Sequence, residues 1–381
     1  MKKNADFDDI RPYYDDEVLP AIERLLKDAE FKRVVGRVFP EKSWESVTTL
    51  LTSFKNKHDF QARLIREAVN KVVEKTSASV GCAGFENIEK GVPYTYISNH
   101  RDIILDASLL CSLLIMNGYD TTEIAIGDNL LLHPWIEDLV RLNKSFIVKR
   151  GISIRQMMEV SAHLSGYIHF AVKEKKESVW ISQREGRAKD SNDRTQESLL
   201  KMLAMGGDGD FLANIKALNI VPVALSYEYD PCDYLKAKEF QQKRDNPEFK
   251  KIKEDDLISM QTGLFGYKGN IHFQFGRPIN PALEKCTGLQ SKNEWITQIA
   301  SVIDREIFRN YAFYPGNYIA YDRLWGNGFF SRKYTKEEVE LFERYLHGQL
   351  EKIDLEQKDI PFLTEKILEM YANPVKNHLE S

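Results

Sequence analysis

Between Tyr94 and Gly276 short apolar runs alternate with longer stretches of helical periodicity, and that alternation leaves few folds open. The runs are Tyr94–Ser98, Thr122–Ile126, Ser145–Lys149, Ser178–Ser182, Asn219–Tyr227 and Asn270–Gly276. Each has the length and the β-branched or aromatic content of a strand. The spacing predicts helices between most of them, among others over Leu105–Asn117, Ser153–Lys173, Arg194–Met205 and Phe211–Leu218. Connections of this length suit crossovers between parallel strands. The expected fold class is therefore α/β, a largely parallel mixed sheet flanked by helices. In such sheets binding sites gather beyond the carboxyl ends of the strands.

On either side the pattern is helical. VLPAIERLLKDAEFKRVV and FQARLIREAVNKVVEK precede the alternating region; WITQIASVIDREIF and YTKEEVELFERYLHGQLEKI follow it. The small, glycine-containing SASVGCAG marks the change of pattern. The organisation expected is an N-terminal helical region over 1–78, an α/β domain over 79–290 and a C-terminal helical cap over 291–381. A chain of 381 residues is long enough for one large domain with such appendages. A net charge of -4 argues against a general nucleic-acid binder. The first residues turn acidic where a signal peptide would be apolar. No apolar run reaches the ~18 residues of a spanning helix, and the nearest, Ile103 to Met116, is interrupted by Asp106. The scattered Cys82, Cys111, Cys232 and Cys286 fit reduced thiols rather than a disulfide framework or a zinc site. The expected location is the cytoplasm, with peripheral contact to the inner face of a membrane left open. Lys55, Lys57, Arg63 and Arg66 could supply that contact, a solvated helix face being the plainer explanation of their pattern.

Three polar clusters fall at the ends of predicted strands: Asn99, His100, Arg101 and Asp102 with Asp106 farther on; Lys149, Arg150 and Gly151; and Arg184, Glu185, Gly186 and Arg187. An imidazole beside a carboxylate is arranged as a general base, because the carboxylate fixes the tautomer and stabilises the imidazolium formed on proton abstraction. Arg150 and Arg187, helped by Lys149, could hold a phosphate through charge-assisted hydrogen bonds, with Gly151 and Gly186 letting the backbone approach. Glu185 would hold an arginine or a substrate hydroxyl. KDSNDRTQE lacks the glycine and the ligand pattern of a calcium loop. GGDGDF reads as a turn and helix cap rather than a dinucleotide fingerprint.

In four blocks the chain resembles the glycerolipid acyltransferases, the glycerol-3-phosphate and 1-acylglycerol-3-phosphate acyltransferases. SNHRDIILD is similar to their Asn-His…Asp block, SFIVKR to the strand that ends in arginine, REGR to the Glu-Gly block, and IVPVALSY to the apolar strand containing proline. The order and spacing agree from Tyr94 to about Tyr229. Five residues rather than four separate His100 from Asp106, so Asp102 stays open as an alternative partner, Asp106 being favoured for its apolar context. Arg187 follows Gly186 directly where the family has an intervening residue.

The resemblance implies a glycerol-3-phosphate acyltransferase-like fold and acyl transfer in membrane phospholipid synthesis. His100 and Asp106 would be catalytic, and Asn99, Arg101, Lys149, Arg150, Glu185, Gly186 and Arg187 would line the substrate site. The donor would be acyl-CoA or acyl carrier protein, the acceptor a glycerol phosphate or lyso-lipid. Backbone amides at the helix start would stabilise the oxyanion, with no bound cofactor and no metal. A non-catalytic lipid-binding or scaffold protein on the same fold is the alternative, and a hydrolase using the same base on water is a third reading.

Overall fold

A computed structural model describes residues 3–284 and 291–381. The six apolar runs pair into one sheet with a seventh strand: β1 (Ser79–Ala83), β2 (Thr95–Ser98), β3 (Thr122–Gly127), β4 (Ser145–Val148), β5 (Ser178–Ser182), β6 (Ile220–Tyr227) and β7 (Asn270–Phe275). Their order is β1-β7-β6-β2-β5-β3-β4. Every pairing is parallel except β6 with β7. β2 lies at the centre, its Thr95 opposite both Val179 of β5 and Ile220 of β6.

Successive side chains of a strand face opposite ways, and here both faces are covered. Ile97, Val179, Ile181 and Ile220 join the core on one side, with the helices Ile154–Phe170, Glu197–Leu203, Phe211–Ala217 and Lys292–Arg309. Tyr96, Trp180, Val221 and Val223 join the core on the other, with Arg66–Thr76 and Leu105–Met116. Burial on both faces explains why β6 is apolar along almost its whole length; all eight of its residues are buried. The Leu105–Met116 helix is buried through its first ten residues, which is why it carries no polar stripe.

N-terminal helices, including Val18–Lys27, Ala29–Val38 and Trp44–Thr52, build a third apolar cluster that reaches Leu142. Pro315–Tyr321, Lys336–Glu351 and Ile360–Leu379 build a fourth. The boundary expected at residue 290, and Cys286, lie outside the described residues.

Two sequence expectations need correction. SASVGCAG, read only as the change of pattern, holds a strand missing from the six expected, since Ser79–Ala83 is an edge strand beside β7. Its serine, glycine and alanine have little β propensity, and pairing with β7, far along the chain, decides the matter. The helix expected from Arg194 begins only at Glu197. Before it the backbone is tied elsewhere, Thr195 N to Asp304 Oδ1 (2.8 Å) and Gln196 N to the Gln183 carbonyl (2.9 Å). Ahead of the first helices, Asp8–Arg11 runs beside the outer strand β4, and Ile147 N donates to the Ile10 carbonyl at 2.8 Å. That contact uses a backbone group which an edge strand would otherwise offer to another chain.

Candidate active site

The chain leaves β2 at Ser98 and enters the Leu105–Met116 helix after a short irregular turn, and this turn builds the site. Asn99 locks its start: Nδ2 donates to the Leu225 carbonyl at 2.9 Å, and Leu225 N donates to Oδ1 at 2.8 Å. The amide side chain thus extends the β2–β6 pairing by one step and fixes where the next residue leaves the sheet. His100 Nδ1 lies 2.7 Å from Asp106 Oδ2. The same oxygen accepts Arg101 N (2.6 Å) and Asp102 N (3.0 Å), while Oδ1 accepts the Tyr227 hydroxyl at 2.9 Å. The edge of Trp180 supports the imidazole, with ring centroids 5.6 Å apart at 70°.

Asp102, the other partner left open by the spacing, does different work. Its Oδ1 accepts Ile104 N (2.9 Å) and Leu105 N (2.7 Å), which caps the helix start and accommodates the fifth intervening residue. Burial, and then the charge of Asp106, push the Asp102 carboxyl up. Gly263 packs so closely on Asp102 Oδ2 that a Cβ there would collide with it, so the Lys253–Phe265 helix closes over this turn. Burial, reinforced by Asp106, raises the Tyr227 hydroxyl well above its usual range and keeps it a donor.

The amides expected to receive an oxyanion are largely taken. Those of Arg101 and Asp102 serve Asp106, and those of Ile104 and Leu105 serve Asp102.

The remaining sequence candidates divide by what they touch. Arg101 is buried and holds Asp193 through two bonds, Nη1–Oδ1 at 3.0 Å and Nη2–Oδ2 at 2.6 Å, and the Tyr311 hydroxyl adds a third donor to Asp193 at 2.7 Å. Lys149 is drawn to the N-terminal segment, its Nζ 2.6 Å from Asp9 Oδ2, and His163 Nε2 meets the other Asp9 oxygen at 2.9 Å. Arg150 forms an ion pair with the exposed Glu185, bringing the ends of β4 and β5 together. Gly151 and Gly186 have φ of +63° and +70°, and each has open space where a Cβ would stand. Their backbone conformation, rather than crowding, calls for glycine.

Arg187 stands apart from these pairs. Its Nη1 is buried without a hydrogen-bond partner among the described residues. Burial opposes its charge, but Cys232, Asp230 and Asp102 more than offset that and hold it as a cation. A half-buried guanidinium whose buried Nη1 is unused has capacity for one more acceptor.

Tyr227, Asp193 and Tyr311 are components that the sequence motifs did not single out. Tyr227 ends the apolar β6 run, and its hydroxyl at a strand end was the available signal. Asp193 lies inside KDSNDRTQE and has no local mark of its role. Behind Tyr227 a cavity of about 30 Å3 is lined by Arg101, Ser226, Asp230, Tyr311 and Tyr371, among others. That is space on the scale of a water molecule, far below an acyl chain.

No family model matches the chain, and no curated protein matches it in sequence. Among solved structures, the 1-acyl-sn-glycerophosphate (LPA) acyltransferase PlsC from Thermotoga maritima is similar at 14% identity and a TM-score of 0.36, over 77% of this chain and 96% of that one. A likeness so distant assigns no role to any residue. The basic helix residues considered for membrane contact do not share one exposed face: Lys57 is buried with its Nζ 3.0 Å from Asp15, and Arg66 Nε donates to the Ala62 carbonyl. Among the described residues no helix is long and apolar enough to cross a membrane.

Proposed function

We propose that this chain is an O-acyltransferase that moves a fatty acyl group from acyl-CoA or acyl carrier protein to a hydroxyl of a glycerol phosphate or lyso-lipid, as a peripheral protein at the inner membrane face. The observation that carries the reading is the His100 ring held by Asp106 through Nδ1, at the carboxyl end of the central strand. With Nδ1 engaged, Nε2 is the nitrogen left to take a proton. The four-block resemblance supports the same assignment.

In the proposed reaction the acceptor hydroxyl gives its proton to His100 Nε2 as its oxygen attacks the thioester carbonyl. The tetrahedral intermediate then collapses with loss of the thiolate, which takes the proton back from the imidazolium. Asp106 favours the imidazolium throughout without changing its own protonation. Arg187 supplies an unused donor for a phosphate or for the developing oxyanion, and Arg150 Nε and Arg184 Nε are likewise without a partner among the described residues. Glu185 orients Arg150 at the rim.

The test is release of free thiol and formation of acylated product with acyl-CoA and acyl carrier protein as donors, and lysophosphatidic acid or glycerol 3-phosphate as acceptors. His100→Ala should lower turnover by about 10²–10⁴-fold and leave the fold intact by circular dichroism. Full turnover in that variant rules out the assigned base. Lipid retained with no thiol released by the wild type favours a binding protein instead, and thiol release that ignores acceptor favours a hydrolase.

A further inference from the structure

After the Pro315–Tyr321 helix the chain makes a wider turn over Asp322–Gly326 and then a tight loop that ends at Thr335, where the Lys336–Glu351 helix starts. The loop is built to a fixed shape. Its reversal uses two residues in the left-handed region, Asn327 (φ 46°) and Gly328 (φ 86°). The buried Asp322 carboxylate receives Phe330 N on both oxygens (3.0 and 2.9 Å) and the Tyr334 hydroxyl at 2.8 Å. Backbone bonds from Asn327 N to Asp322 O (3.0 Å) and from Phe329 N to Gly326 O (2.8 Å) close the turn.

Within this frame two adjacent phenylalanines are treated in opposite ways. Phe330 packs inward on Tyr318 and Tyr321, at ring-centroid distances of 4.9 and 5.4 Å. Phe329 is held outward and is 72% exposed, and Trp325, one turn earlier, is 43% exposed. A loop already ordered by its own hydrogen bonds gains nothing in folding from showing a phenyl ring to water.

The surrounding charge identifies what would cover these rings. Arg332, Lys333, Lys336 and Lys376 are exposed, and none has a carboxylate within ion-pair distance among the described residues. The Lys376 ammonium stands 5.2 Å from the Trp325 ring centre. The nearest carboxylates that follow in sequence are turned to the helix start: Glu338 accepts Thr335 N at 2.7 Å, and Glu337 is held low by the backbone there and by Thr335. The chain as a whole carries a charge of -4. Arg332, Lys333 and Lys336 follow Phe329 closely in the chain and Lys376 lies against Trp325, so these cations have no counter-ion in contact, although the exposed Glu337 and Glu340 come next on the helix; their field is felt only within about a Debye length of ~8 Å. A protein partner would need a shaped pocket for Phe329. A bilayer offers headgroup-depth apolar contact for both rings and phosphates for the cations, with no shape requirement.

We propose that Trp325 and Phe329, with Lys376 against the Trp325 ring and the exposed Arg332, Lys333 and Lys336 next in the chain, form an interfacial anchor that seats the protein on an anionic lipid bilayer. The anchor stands independently of the acyl-transfer chemistry. The full chain is sedimented with vesicles of phosphatidylcholine alone and of phosphatidylcholine mixed with phosphatidylglycerol. The mixed vesicles should bind it in a salt-sensitive way and the neutral ones weakly. Phe329→Ser with Trp325→Ser should reduce binding roughly tenfold or more, and Arg332→Gln with Lys333→Gln should reduce it severalfold on the mixed vesicles alone, all with the circular dichroism spectrum unchanged. The proposal is overturned if the wild type binds neither vesicle, if the aromatic variant binds as the wild type does, or if that variant instead dissolves a lipid-free dimer, which would assign the face to a second copy of the chain.

Discussion

Asp106 receives Arg101 N, Asp102 N and the Tyr227 hydroxyl besides the His100 ring, so its carboxylate has little freedom to turn. A carboxylate so held can orient an imidazole without moving during turnover. Tyr227→Phe removes one of those donors and no steric bulk. It should lower kcat by about tenfold with KM unchanged, and cost about 1 kcal/mol in urea unfolding, the ordinary worth of one buried hydrogen bond. Asp193→Asn is a different kind of change, because it leaves the Arg101 guanidinium buried with an amide in place of its counter-ion. A loss of about 3–5 kcal/mol in the same measurement is expected. These residues also show what a sequence can disclose. His100 and Asp106 lie six positions apart, and their pairing is visible in the motif. Arg101 and Lys149 read equally well as anion ligands, yet their carboxylates come from 92 and 140 positions away, and no local pattern announces them.

One buried carboxyl group ties two of the C-terminal helices to the helix that starts at Asp233. Asp233 Oδ2 accepts the hydroxyls of Tyr345 (2.7 Å) and Tyr371 (2.8 Å), one from each helix, and Gln349 reaches Oδ1. Burial, and then the neighbouring Asp230, push this carboxyl up to about 7 from 3.8. Between those values the folded chain keeps a proton that the unfolded chain has released. The contribution of Asp233 to stability therefore falls as pH rises from about 4 to about 7, and stays level above. Asp233→Asn, which resembles the protonated form, should melt with the wild type near pH 4 and a few degrees above it at pH 8, as followed by circular dichroism. Helix and strand positions were mostly legible because a buried face imposes its own period. β1 was not, since its residues become a strand only by pairing with β7.

At the scale of the molecule, the apolar runs disclosed most strands, but not their order. β7 enters antiparallel to β6 and separates it from β1, a choice made by contacts between distant parts of the chain. The outer strand β4 is likewise completed from afar, by Ile10, which is almost fully buried. Ile10→Asp should loosen that segment and raise light scattering on mild heating, without a comparable change when Asp6, exposed and ahead of it, is replaced by asparagine. The placement also has a bearing on synthesis. Asp8–Arg11 leave the ribosome well before Ser145–Val148, so the cover for this strand is already made when the strand arrives. A circular permutant carrying those four residues at its far end would have to wait for them with its flank bare, and should give a lower soluble yield even if the finished protein were equally stable.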